Sequence, residues 1–124
     1  MKKNDLTNKT FKNSDGTEYV VLAGYENGEI VFVEKDNPDA ELYFACDAKI
    51  ENSRLYSSYK VSYTLTKDEF FNVIKGVNTL DGLKRQYYKI PMVFLRLIVN
   101  LYLREKSEKY EQRILLYGQN HNDT

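Results

Sequence analysis

Apolar and polar positions alternate with a period near two through the first half of the chain and switch to a helical period in the second. Thr17 to Tyr25 (TEYVVLAGY) and Glu29 to Lys35 (EIVFVEK) are rich in β-branched and aromatic residues and flank Asn27-Gly28. That dipeptide between two such runs predicts a hairpin closed by a type I′ turn, which needs positive φ at both central residues. In this register Glu26 faces Glu29, Tyr25 faces Ile30, Ala23 faces Phe32 and Leu22 faces Val33. Both faces then carry apolar side chains, so both should be at least partly covered.

Asp36-Asn37-Pro38-Asp39 reads as a turn and Glu41 to Cys46 (ELYFAC) as a third strand. Residues 47–58 show no regular pattern. Tyr59 to Leu65 alternates cleanly, with Tyr59, Val61, Tyr63 and Leu65 on one face and Lys60, Ser62 and Thr64 on the other. No segment of helix length separates these four strands, which predicts an antiparallel meander.

From residue 66 the spacing is helical. Thr66 and Glu69 have the spacing of a capping box, followed by Phe70, Val73, Ile74 and Val77 on one stripe with Gly76 as the expected C-cap. A second short helix is expected after a Thr79 cap, with Leu80, Leu83, Tyr87 and Ile90 inward. Pro91 should open a third helix at its first position and run to about Tyr117. At 1.5 Å per residue that helix is about 40 Å long, so it should kink near residues 104–107, protrude, or pair with another copy. Val99, Leu103, Tyr110, Ile114 and Tyr117 fall near helical spacing and offer a seam for a homodimer. The expected architecture is thus α+β: a four-stranded antiparallel sheet, two short helices and one long C-terminal helix. Residues 1–16 read as a flexible arm, 17–118 as one domain, and 119–124 as a polar tail.

Length and composition narrow the chemistry. The chain has 124 residues, enough for one domain with its own core. It contains one cysteine, Cys46, and one histidine, His121. Neither a disulfide scaffold nor a tetrahedral zinc module can be built from these, and no metal or cofactor is expected. His121 lies in the polar tail, where nothing holds a general base within reach of a target. Cys46 ends an apolar strand and reads as a structural thiol. Gly-rich phosphate loops, a Ser-His-Asp set and a Cys-His pair are absent, so a non-enzymatic protein is expected. Asp39, Asp47 and Lys49 have the residue types of the PD-(D/E)xK nuclease signature. Asp47 follows Asp39 by eight residues, and an extended chain would hold the two acids about 26 Å apart. Asp36, Asp39 and Glu41 lack the glycine and terminal glutamate of a calcium loop. Thr79 to Ile90 resembles the opening of the second helix of a J domain, but Ile90-Pro91-Met92 stands where that family carries its functional His-Pro-Asp loop. The N-terminus has no apolar run of an export signal, and Ile90 to Leu103 is too short and too polar to span a bilayer. A cytoplasmic protein is expected.

Charge changes the picture more. Eighteen Lys and Arg balance 18 Asp and Glu, for a net charge of zero, yet the two signs are segregated. From Asp15 to Glu51 there are ten acids and two bases; from Gly82 to Arg104 there are five bases and no acid. The acidic rim Glu26, Glu29, Glu34, Asp36, Asp39 and Glu41 is the expected docking surface for a basic partner protein, in its strongest form by imitating a phosphate track. The bias towards residues with A/T-rich codons suits a phage or mobile-element accessory, of which nuclease inhibitors are one class. The alternative is nucleic-acid binding by Lys84, Arg85, Lys89, Arg96 and Arg104, with Tyr87 and Tyr88 for stacking.

Overall fold

The computed structural model describes residues 6–25, 28–77 and 79–117, with side chains described as far as Ser107. The fold is α+β, and its antiparallel sheet has five strands, not four. In chain order these are β1 (Thr10–Lys12), β2 (Glu18–Gly24), β3 (Ile30–Glu34), β4 (Glu41–Cys46) and, after a separate hairpin of β5 (Lys49–Glu51) and β6 (Arg54–Tyr56), β7 (Tyr59–Thr66). The sheet order is β1-β2-β3-β4-β7. The extra strand lies within the segment that hydropathy alone reads as an arm: Phe11 is buried and β1 pairs along β2. Three residues with one apolar side chain are too few to show a period.

The β2–β3 hairpin forms with a different loop and register. Gly28 N–H donates to Tyr25 C=O (3.1 Å), Tyr25 N–H to Glu29 C=O (2.8 Å), and Gly28 has φ +93°. A three-residue loop ending in a left-handed glycine replaces the two-residue one. Gly24 therefore faces Ile30 and Ala23 faces Val31, and a bulge after Val21 shifts the remainder so that Val21 faces Phe32. The bulge puts Leu22 and Ala23 on the same side of the sheet. Glu26 and Asn27 lie outside the described residues. A type I′ geometry occurs instead at Asn52-Ser53, both with positive φ (53° and 63°), between the paired Glu51 and Arg54 of the β5–β6 hairpin.

The sheet carries a core on each face. On one face lie Phe11, Val21, Ile30, Phe32 and Ala45, with Tyr19, Tyr43, Ile50 and Leu55 packed against them. Phe11 stacks on Tyr19 (5.3 Å between centroids) and Phe32 on Tyr43 (5.4 Å). The β5–β6 hairpin covers this cluster. On the other face Val31, Leu42 and Phe44 meet Phe70, Leu83, Phe94, Leu95, Ile98 and Leu101 of the helices.

Those helices are α1 (Lys67–Gly76), α2 (Leu80–Gln86) and α3 (Met92–Tyr117). Thr66 ends β7 and caps α1: its Oγ1 accepts from Glu69 N–H (3.2 Å), and Glu69 Oε1 accepts from Thr66 N–H (2.8 Å). The C-cap is Val77, one residue beyond the expected Gly76. Thr66→Ala is expected to cost about 1 kcal/mol and Thr66→Ser little, read as a drop in melting temperature of roughly 3–5 °C for alanine alone. Pro91 precedes α3 instead of opening it, its carbonyl accepting from Phe94 and Leu95. The α3 backbone is helical throughout, with no break at residues 104–107. Among the described residues no helix is long and apolar enough to cross a membrane.

Candidate functional site

The antiparallel order gathers one set of chain reversals at one end of the sheet. The start of β2, the end of β3, the start of β4 and the end of β7 lie there, because Tyr19 pairs with Glu34 and Glu41 with Thr66. This places Glu34, Asp36, Asp39 and Glu41 together with the first turn of α1.

Local hydrogen bonds shape the β3–β4 turn. Asp36 takes φ 61°, Asn37 Oδ1 accepts from Asp39 N–H (3.0 Å), and Asn37 Nδ2 donates to Glu34 Oε1 (3.3 Å). Glu41 Oε1 accepts from Ser62 Oγ on β7 (3.0 Å). Beside this turn a cleft of about 460 Å³ opens on the helix side of the sheet. Val20, Leu22 and Val33 line it, with Glu34, Asp36 and Pro38 from the turn and Lys67 and Asp68 from α1. On the opposite side of the turn a hollow of about 330 Å³ is lined by Tyr19, Glu34, Asp39, Glu41 and Tyr43 among others. Glu34 and Asn37 line both. Sequence reasoning found the acids but missed the apolar lining and Asp68, which only strand pairing and the position of α1 bring near the turn.

Glu29 is not part of this group. It begins the run into β3 at the far end of the sheet, and the five residues of β3, about 17 Å long, lie between it and the turn that holds Asp36. There it belongs to a different neighbourhood: burial first, then Glu29, then Asp47 push the Cys46 thiol up, away from the reactive thiolate. Burial raises the Tyr25 hydroxyl against the opposing influence of nearby Arg96. Burial, aided by a hydrogen bond to Tyr59, raises Tyr63 to about 12. Asp39 and Asp47 stand at opposite ends of β4, so the nuclease pattern does not assemble. Among the described residues no group of three His, Cys, Asp or Glu side chains converges to hold a metal. His121 lies outside the described residues.

The basic segment is distributed over two places and partly engaged within the fold. Lys84 Nζ donates to the carbonyls of Tyr88 (2.9 Å) and Ile90 (2.8 Å), closing the α2–α3 connection. Lys89 lies over the Tyr88 ring, 5.9 Å from its centroid, and Arg85 is exposed on α2. Tyr87 is half-buried and packs against Phe70 at 4.9 Å, so its ring is not free for stacking on a base. The stripe Arg96, Asn100, Arg104 faces β2 and its loop: Asn100 Nδ2 donates to Tyr25 Oη (3.2 Å) and Arg104 Nη2 to the carbonyl of Leu22 (2.7 Å), at the bulge. Of the seam residues, Val99 packs against the helix-side core and Leu103 is 54 % exposed. The side chains of Tyr110, Ile114 and Tyr117 lie outside those described.

Comparison with known proteins gives no match among family models, curated sequences or solved structures.

Proposed function

We infer that this chain is a non-enzymatic interaction module that receives a basic segment of another protein at the acidic end of its sheet. The observation that carries this reading is the cleft beside the β3–β4 turn, where Glu34, Asp36 and Asp68 surround an apolar lining of Val20, Leu22 and Val33. Complementary charge speeds encounter and fixes register, and an apolar contact bordered by polar groups supplies residence time. Such a surface suits a loop or strand with an aliphatic anchor flanked by Lys or Arg. Nucleic-acid-binding proteins, nucleases among them, carry segments of that kind, and a phage or mobile-element inhibitor is the role that fits this reading. The nucleic-acid alternative is weaker because Lys84 and Arg104 are spent on backbone carbonyls.

The test is charge reversal at the acidic turn. A Glu34→Lys, Asp36→Lys, Asp39→Lys variant should lose at least about tenfold in affinity for the partner captured by the unchanged protein, with its circular dichroism spectrum intact. Binding of the unchanged protein should also weaken with added salt. Equal capture by both proteins would show that the acidic turn is not the docking surface.

A further inference from the structure

The two edges of the sheet differ. β1 is three residues long, and its Lys12 N–H donates to Ser53 C=O (2.8 Å) at the tip of the β5–β6 hairpin, which occupies part of that edge. β7 has eight residues and, among the described residues, pairs only with β4. Alternate residues of a strand direct their N–H and C=O groups to either side, so the outer side of β7 carries a row of backbone donors and acceptors. Thr64 limits the length of that row. Its φ of 62° is a left-handed conformation that a β-branched residue adopts only under constraint, and its N–H turns to Ser62 Oγ (3.1 Å). The regular part of the edge is therefore Tyr59–Tyr63, which holds one charge, Lys60, and an exposed aromatic, Tyr59 (48 %).

We propose that a second copy of this chain pairs with β7, antiparallel and about a two-fold axis at Val61, joining the two sheets into one. The segment is its own complement in this register. Tyr59 stands opposite the partner's Tyr63, Lys60 opposite the partner's Ser62, and Val61 opposite the partner's Val61. All five residues pair, and Tyr59, Val61 and Tyr63 continue one apolar and aromatic strip across the junction. A two-fold axis at Lys60 would set two ammonium groups face to face, and one at Ser62 would draw the bent Thr64 into the ladder. The contact is isologous, and β1 is short and partly occupied, so assembly closes at two copies and does not propagate as a fibre.

Sedimentation equilibrium on the full chain, from low micromolar to submillimolar concentration, should show a concentration-dependent dimer. Directly opposed residues of an antiparallel pair have Cα atoms about 4.5–5.5 Å apart, within disulfide reach, so a Cys46→Ser, Val61→Cys variant should cross-link under mild oxidation. Ser62→Lys opposes two pairs of ammonium groups and should weaken the dimer at least tenfold; adding Lys60→Glu should restore it. A monomeric mass throughout overturns the proposal. So does a dimer that neither cross-links at position 61 nor responds to Ser62→Lys, which would place the contact elsewhere, as on α3. If Ser62→Lys disturbs folding, the cross-link decides alone.

Discussion

Phe44→Ala is expected to destabilise the protein by about 3–5 kcal/mol. Phe44 has no exposed surface and lies at the centre of the helix-side core. Its ring stacks on Phe94 at 4.7 Å, meets Phe70 edge-on at 6.5 Å and touches Tyr63 at 5.9 Å, so one side chain joins β4 to α1, α3 and β7. Removing it loses the transfer energy of a buried phenyl ring and leaves a cavity lined by rings that cannot collapse without leaving their rotamers. For a chain of this length about 1 kcal/mol corresponds to roughly 3–5 °C, so thermal unfolding should move down by roughly 10–20 °C. Phe44→Leu, which keeps most of the volume, should fall well short of that shift. Equal melting temperatures for the alanine variant and the parent would mean that the helices do not pack on β4 in this way.

Gly28→Ala should cost about 2–4 kcal/mol, although it adds a single methyl group to a loop. Two independent causes add. At φ +93° any L side chain is strained. A Cβ there would also stand 2.9 Å from the Ala48 nitrogen and 3.0 Å from the Asp47 Cα, both backbone atoms with no rotamer to move. The displaced segment includes Ala48 N–H, which donates to Gly28 C=O (2.9 Å) and ties the β2–β3 loop to the start of the β5–β6 hairpin. The measurable consequence is a denaturation midpoint shifted far more than by Gly76→Ala. At Gly76, where a Cβ meets nothing within 4 Å, the same change should be neutral or slightly stabilising. Similar midpoints for the two variants would contradict the close approach.

The strands that could be read from sequence are those whose alternation runs for five residues or more. β4 falls on Glu41–Cys46, and β7 passes Leu65 by one residue. The capping box at Thr66 was legible because it is a local device of four residues. β1, β5 and β6 were not, since three residues define no period and Asn-Ser lacks the glycine that marks a left-handed turn. The hairpin register slipped because a bulge after Val21 and a longer loop at Gly28 each move it by one, and neither has a signature in a single sequence. At the candidate site, Glu34, Asp36, Asp39 and Glu41 were found together because they are neighbours in the chain. Proximity in the chain groups Glu29 with them as well, and the direction of β3 separates it. The engagement of Arg104 with Leu22 was hidden for a related reason: the carbonyl it reaches belongs to the bulged segment, 82 residues earlier in the chain.

β3 has consequences beyond its five residues. It lies between β2 and β4 in the sheet, with Val31 in the helix-side core and Ile30 and Phe32 in the core beneath the small hairpin. Neither core can open to solvent while keeping the other intact, since both own the same backbone. The molecule should therefore melt as a single cooperative unit, and the amides of Val31 and Phe32 should exchange with solvent only through global unfolding.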